Sequence, residues 1–303
     1  MATFARPTFS AKAYAAFRPT YPASLFRKVL DFHHLPRTGS ETTLLDLGCG
    51  HGLIARALSP HFQRILAVDP SASMVEQARR MTDDAKITFR HGRAEDLSAL
   101  VRPASVDMTV AGQAAHWFDH GAVWRELART LKPGGTIAFW GYIDNVLMGA
   151  EQATAVMEKF VYGFGDVAPG VEGMGPYWEQ PGRNILRNLL RAVEVPEDNW
   201  RDVTRLEHEP GKQHDDDDVC WLRKKMKLGE VEAYTRTFSC YSGWKDAHPD
   251  AKSRAEGGNG DVVDVMWDQM VDSVPEWKAM GERWREAEVV SDWGTYVLMA
   301  RRR

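Results

Sequence analysis

Residues 44–52 read LLDLGCGHG, and Leu53 follows. An apolar run that closes at Leu47 is followed at once by Gly48, Gly50 and Gly52, so a strand ends in a turn whose backbone can lie against a ligand without side chains in the way. A nucleotide-like ligand belongs there. A dinucleotide fingerprint would place glycines at 48, 50 and 53, but Leu53 blocks the close approach that a pyrophosphate at a helix start requires. NAD is therefore disfavoured. Asp46 lies just before the glycines, and Asp69 ends the next apolar run, RILAVD at 64–69, where a carboxylate can accept both hydroxyls of an unphosphorylated ribose.

Outward from this loop, short apolar runs alternate with amphipathic stretches as far as residue 142: TLLDL, RILAVD, KITFR, VDMTVAG and TIAFWGY, with helical patterns between them. Such alternation predicts an α/β fold with a doubly wound, mostly parallel sheet, because parallel pairing needs crossovers that cover both faces. Ser71 and Ser73 stand where the second helix should start, Asp119 can cap a later one, and LKPGG at 131–135 ends it. Beyond 142 the alternation stops. Gly/Pro-rich loops, helical patches at 185–193 and 262–270 and eight of the eleven tryptophans predict a helical cap, with strand-like runs at 231–241 and 294–300.

The composition narrows the function classes. In 303 residues, 38 Lys and Arg against 42 Asp and Glu leave a net charge of −4, which does not suit a nucleic-acid binder. No apolar stretch reaches the roughly 20 residues needed to cross a bilayer. Cys49, Cys220 and Cys240 form no paired spacing, which argues against disulfides or a zinc ribbon and for a reducing, cytoplasmic setting. The acid-poor start could suggest a transit segment, but Pro7, Pro19 and Pro22 interrupt any long amphipathic helix there. The HDDDD run at 214–218 reads as a solvated loop, and His33, His34 and His51 lack a third ligand at a recognisable spacing. No metal is expected.

Taken together, the motifs resemble the class I S-adenosylmethionine-dependent methyltransferases. DLGCGHG at 46–52 resembles that family's glycine motif, AVDPSASM its ribose-binding strand end, GRAEDL at 92–97 its adenine-edge segment, and AGQAAHWFD and LKPGGTIAFW its fourth and fifth strand motifs. The resemblance implies S-adenosylmethionine as cofactor, S-adenosylhomocysteine as product and a Rossmann-like seven-stranded sheet. It also implies cofactor contacts from Asp46, Gly48, Cys49, Gly50, Asp69, Pro70, Met74, Ala94, Glu95 and Gln113. A narrower resemblance, carried by AKAYAAFRPTYP at 11–22, AAHWFD and YTRTFSCYSGW, is to the fungal trans-aconitate 3-methyltransferase group and its cantharidin-resistance relatives. It implies an N-terminal segment, 1–40, that covers the cofactor with Tyr14 and Arg18 near the methionine carboxylate and Tyr21 near the pocket. The core would then span 41–142, the cap 143–293 and a closing strand 294–303.

Methyl transfer from a sulfonium needs an acceptor held close, in line and dry. A carboxylate acceptor is ionised at neutral pH, whereas a phenol or thiol would benefit from a base. His116, at the carboxyl edge of the fourth strand, is the candidate base; Trp117 and Tyr142 shape the wall. The leading expectation is O-methylation of a small carboxylic acid such as trans-aconitate, with Arg183, Arg187 and Arg191 as cationic partners four residues apart. The alternatives are a hydroxyl or thiol acceptor, or a cofactor-binding protein without transfer. A small-molecule substrate, no nucleic acid or membrane partner, and a monomer or homodimer complete the expectation.

Overall fold

A computed structural model describes residues 19–33, 42–212 and 220–303. Its centre is an eight-stranded sheet. The strands are β1 (Thr43–Leu47), β2 (Arg64–Asp69), β3 (Ile87–His91), β4 (Val106–Gly112) and β5 (Leu131–Met148); after a small separate hairpin, β6 (Asp166–Ala168) and β7 (Val171–Glu172), come β8 (Trp200–His208), β9 (Arg223–Lys227) and β10 (Glu288–Arg302). Seven strands follow the order β3-β2-β1-β4-β5-β10-β8, and β9 adds to the free half of β10. The β3-to-β5 half is parallel, and the pairings of β10 with β5, β8 and β9 are antiparallel. The doubly wound, mostly parallel sheet expected from the sequence is thus present, with an antiparallel flank that the βα alternation did not signal.

Alternate residues of each strand feed the two faces. Leu44, Val110, Ala138 and Val297 join one apolar cluster; Leu45, Ala111, Phe139 and Leu298 join the other. The first face is covered by helices α1 (Ala23–His33), α2 (Leu53–Leu58) and α3 (Ala72–Arg80), the second by α4 (His120–Thr130). Capping follows the sequence: the Ser71 hydroxyl accepts from the Met74 amide and the Asp119 carboxylate from the Ala122 amide. His33 Nδ1, 2.6 Å from Thr136 Oγ1, ties α1 to β5.

Helices are the main regular structure of the segment between β5 and β10: α5 (Glu151–Tyr162), the short α6 (Gly182–Arg187), α7 (Leu228–Thr235), α8 (Ser239–Ala247), α9 (Val262–Ser273) and the single turn α10 (Pro275–Lys278). Its tryptophans are mainly core: Trp200, Trp221, Trp244, Trp267, Trp277 and Trp293 are buried, and Trp267 stacks on Trp284. Three expectations need correction. The run 231–241, rich in β-branched and aromatic residues, is not a strand but the two helices α7 and α8. Val231, Tyr234 and Thr235 face inward at helical spacing, and packing overrides the strand propensity. The helix expected over 185–193 ends at Arg187, because Leu189 and Leu190 take positive φ of 54° and 60°. Strands β8 and β9 and the start of β10 also come from within 143–293.

Candidate active site and cofactor cleft

Strands β1, β2 and β4 end on one edge, and the loops that leave them enclose a cleft of about 520 Å³. It lies at the carboxyl ends of the parallel strands, where doubly wound sheets hold their ligands. The glycine loop forms its floor. Gly48 and Gly50 have φ of 68° and 52°, in the left-handed region that a side chain resists. A Cβ on Gly48 would come within 2.4 Å of Ala114 Cβ, and one on Gly50 would meet nothing within 4 Å because it faces open space.

Asp69 stands at the end of β2, and its carboxylate is held rigidly: Oδ2 accepts from the Gly50 amide and Oδ1 from the Ser71 amide, each at 2.8 Å. Each oxygen keeps a further lone pair towards the cleft. Burial raises its pKa, against lowering by those two amides and by His91. Cys49, Pro70, Met74, Ala94, Glu95 and Gln113 also line the cleft, as do the catalytic candidates Trp117 and Tyr21. Tyr21 meets Trp140 edge-on at 5.9 Å. The Cys49 thiol is pushed far up by burial and by the charges of Asp46 and Asp69, so it is not a nucleophile.

Several expected residues sit elsewhere or are otherwise engaged. Tyr14 and Arg18 lie outside the described residues, as do His214 and the acidic run 215–218. Asp46 does not line the cleft. Its carboxyl is fully buried beneath the glycine loop, neither oxygen makes a well-formed hydrogen bond, and burial pushes its pKa up to about 7; the nearby Ala55 amide lowers it and Asp69 adds to the rise. Gln113 reaches the cleft with φ of 55°, but its amide is committed to the neighbouring strand: Nε2 donates to Tyr142 O at 2.8 Å and Oε1 accepts from Tyr142 N at 2.7 Å. Gln113 therefore clamps β4 to β5 and shapes the wall.

The raised pKa of Asp46 has a measurable sign. Between pH 4 and pH 7 the folded chain keeps a proton that the unfolded chain has released, so stability falls as pH rises through that window, by about 4 kcal/mol at most. Asp46→Asn should flatten this part of the dependence whatever its constant effect on folding. Urea unfolding at pH 5 and pH 8 checks it; an unchanged pH difference in the variant would refute the assignment.

Beyond the cleft lies a small chamber of about 50 Å³ that shares Gln113, Trp117 and Tyr142 with it. Its further walls are His116, Ile143, Asp144, Trp178, Arg183, Leu186, Tyr234, Phe238 and Ser239. Apart from His116 and Arg183, these residues were not expected as site residues, because they come from the unpatterned cap and from the end of β5 and meet only in three dimensions. His116, in the turn after β4, is buried, its ring 4.6 Å from that of Trp117. Burial, then the charges of Arg183 and His120, push its pKa down to about 3, so it is neutral in the physiological range, and Nδ1 has no hydrogen-bond partner.

Arg183 is the buried cation of this chamber, with 8% of its surface exposed. Its guanidinium lies 3.9 Å from the ring centroid of Trp178, and Nη2 donates to both Asp144 and the Tyr162 hydroxyl. Nε makes no hydrogen bond. Arg187 pairs with Asp144 and Glu158, whereas Arg191, past the end of α6, pairs with Glu207 and Glu209 and does not reach the chamber. The three arginines therefore do not converge. Gly182 allows the close packing of α6 here, since a Cβ on it would lie 2.5 Å from the Trp117 indole.

A doubly wound sheet that carries a glycine loop and a strand-end carboxylate at its carboxyl edge is the Rossmann-like methyltransferase fold. Residues 45–139 match the methyltransferase-domain family Methyltransf_11. The chain is an S-adenosylmethionine-dependent methyltransferase, and its cofactor is S-adenosylmethionine. Among similar proteins, the Saccharomyces cerevisiae protein CRG1, described as an S-adenosylmethionine-dependent methyltransferase, is 28% identical over 259 residues, 82% of this chain and 84% of that one. The methyltransferase cfoB of Aspergillus candidus is 30% identical over 200 residues, 63% of this chain and 61% of that one. In three dimensions the fold matches a type II methyltransferase, so described, from Anaeromyxobacter dehalogenans, with a TM-score of 0.63 at 24% identity over 94% of this chain and 98% of that one. Among the described residues, no helix is long and apolar enough to cross a membrane.

Proposed function

We propose that this methyltransferase acts on a small molecule and esterifies a carboxylate oxygen, with the acceptor held in the chamber between the cleft and the cap. The observation that carries this reading is Arg183: a buried guanidinium at the far side of the chamber, stacked on Trp178, with its Nε–H unpaired. With Nη2 held by Asp144 and Tyr162, the charge and the Nε–H remain to meet a carboxylate. The cofactor supplies a methyl group on a positively charged sulfur. In this reading Asp69 would take the ribose hydroxyls, Met74 and the 92–95 segment the adenine, and the backbone of Gly48 to Gly50 the methionine portion, while Trp117 and Tyr142 bound the path to the acceptor.

The alternative, a hydroxyl acceptor deprotonated by His116, has less support. With its pKa pushed down to about 3, the His116 imidazole falls roughly 7 units short of a phenol of pKa about 10, a gap of roughly 9 kcal/mol for full proton transfer. A carboxylate of pKa about 4 needs no base. All three arginines are paired with carboxylates of the chain, and only Arg183 lines the chamber, with Nη2 held by Asp144 and Nε–H left unpaired, so an acid with one carboxylate is favoured over a tricarboxylate such as trans-aconitate. The adjoining space of about 190 Å³, where Val146, Met157, Val161 and Phe238 meet Asp144, Glu158 and Arg187, can take the rest of the acceptor.

The test is a methyl-transfer screen of monocarboxylates, trans-aconitate, phenols and thiols, with pH–rate profiles for each active acceptor. An acid acceptor with kcat/KM flat from pH 6 to pH 9 is expected. Activity confined to phenols or thiols, with a rate that climbs with pH, would overturn the carboxylate reading.

A further inference from the structure

Outside the cleft, three side chains of different chemistry converge on the antiparallel flank. His208 is the last residue of β8, Asp292 lies in β10, and Cys220 precedes β9. The pairing along β10 passes from β9 to β8 at this point: Asp292 is opposite Arg223 and Thr295 is opposite His208. His208 Nε2 is 2.9 Å from Asp292 Oδ1, and Cys220 Sγ is 3.6 Å from His208 Nε2 and 3.7 Å from Asp292 Oδ1. His208 and Asp292 are wholly buried; Cys220 is half-buried and opens the cluster to the surface.

We propose that His208 Nε2, Cys220 Sγ and Asp292 Oδ1 bind a divalent cation of the zinc class. The first argument is metric. Zn–S, Zn–N and Zn–O bonds of about 2.3, 2.05 and 2.0 Å at tetrahedral angles put sulfur about 3.6 Å from either of the other ligand atoms, and nitrogen and oxygen about 3.3 Å apart. The two sulfur edges of the observed triangle already have that length, and the third must open by a few tenths of an ångström. The second argument is the outer shell. Asp292 Oδ2 accepts from the Gly211 amide at 2.8 Å and from Arg223 at 3.0 Å, which fixes the carboxylate with Oδ1 directed at His208 and Cys220. Such hydrogen bonding around first ligands is typical of metal sites. The third is ligand softness: thiolate, imidazole and one carboxylate suit zinc and cobalt and do not suit magnesium or calcium, which take oxygen donors.

Loading is balanced as follows. The Cys220 S–H proton leaves to solvent as the sulfur–metal bond forms, and the proton held between His208 Nε2 and Asp292 Oδ1 is given up to solvent while Nδ1 takes one up, so that lone pairs on Nε2 and Oδ1 face the metal and one proton is released in all. The ion would join the ends of the two edge strands to β10 where backbone pairing changes hands, a structural role that does not involve the methyl-transfer chemistry.

The test uses the whole chain, stripped with chelator and reloaded with zinc or cobalt(II). The wild type should take up one zinc per chain by mass spectrometry, melt at a higher temperature than the stripped form, and show a thiolate-to-cobalt charge-transfer band. Cys220→Ser, the half-buried member and so the gentlest change, should abolish that band and weaken zinc binding at least tenfold; Asp292→Asn should weaken zinc binding in a fold whose circular dichroism is unchanged. Less than stoichiometric zinc in the reloaded wild type overturns the proposal. Retention of zinc and of the charge-transfer band by Cys220→Ser would place the ion elsewhere and overturn it equally.

Discussion

Replacing Asp69 with alanine should weaken S-adenosylmethionine and S-adenosylhomocysteine binding about a hundredfold, measured by titration calorimetry, and lower the melting temperature of the free protein as well, because the Gly50 and Ser71 amides lose their acceptor. The carboxylate already accepts two backbone amides, so it is fixed before the ligand arrives and ordering it costs nothing on binding. A hydrogen bond to a charged group contributes roughly 1.5–3 kcal/mol, and the upper half of that range corresponds to about a hundredfold in affinity. The buried position adds to the effect, because water cannot easily replace the lost oxygens. Asp69→Asn, which keeps one acceptor oxygen and loses the charge, should fall between. Unchanged affinity in Asp69→Ala would show that the ribose lies elsewhere, and the cleft assignment would fail with it.

Arg183→Met should lower kcat/KM for an acid acceptor by a hundred- to a thousandfold, about 3–4 kcal/mol, and leave S-adenosylhomocysteine affinity within a fewfold of wild type. The substitution keeps an apolar stem against Trp178 but removes the guanidinium, so it deletes the charge-assisted contact to the acceptor and leaves Asp144 facing the chamber with Arg187, 3.6 Å away, as its remaining cation. A repulsive carboxylate then meets a carboxylate substrate. Arg183→Lys should recover part of the loss, since it restores the charge without the planar fork. Intact product affinity separates this outcome from misfolding. An Arg183→Met enzyme that esterifies acids at the wild-type rate would remove the carboxylate reading, and the methyltransferase itself would stand.

What could be read from the sequence and what could not follows from locality. The glycine loop, Asp69 and the strand–helix alternation between 44 and 142 are local patterns, and each pairs with its neighbour in space through short crossovers. Pro70, Met74, Ala94 and Glu95 fall on the cleft because each lies within a few residues of a strand end. The chamber is different: Asp144, Trp178, Tyr234 and Phe238 join the expected Tyr142 and Arg183 from separate segments, and no period links them. The Val231–Tyr241 run misleads for a related reason, since its Val, Tyr, Thr and Phe content suits a strand while its inward positions, revealed only by packing, repeat as a helix. Asp46 was placed at the ligand by its position before the glycines, yet β1 turns that side chain under the loop. The His208–Cys220–Asp292 cluster was invisible because Asp292 reaches it from the far side of the cap.

Strand β10 carries a consequence for how the molecule assembles. It pairs with β5 over eleven residue positions, from Arg301 opposite Thr136 to Val290 opposite Met148, and it supplies the only described attachment of β8 and β9 to the sheet. Until 288–302 have been synthesised, the outer edge of β5 has no partner through the whole time in which residues 149–287 are made. An open, largely apolar strand edge of that length is a template for mispairing with other chains, and contacts of such sequence separation form late. A chain that ends before 288 should therefore aggregate more readily than the full chain, and yield in a heterologous host should respond more to chaperones that shield nascent sheet edges than to any change within the cofactor cleft.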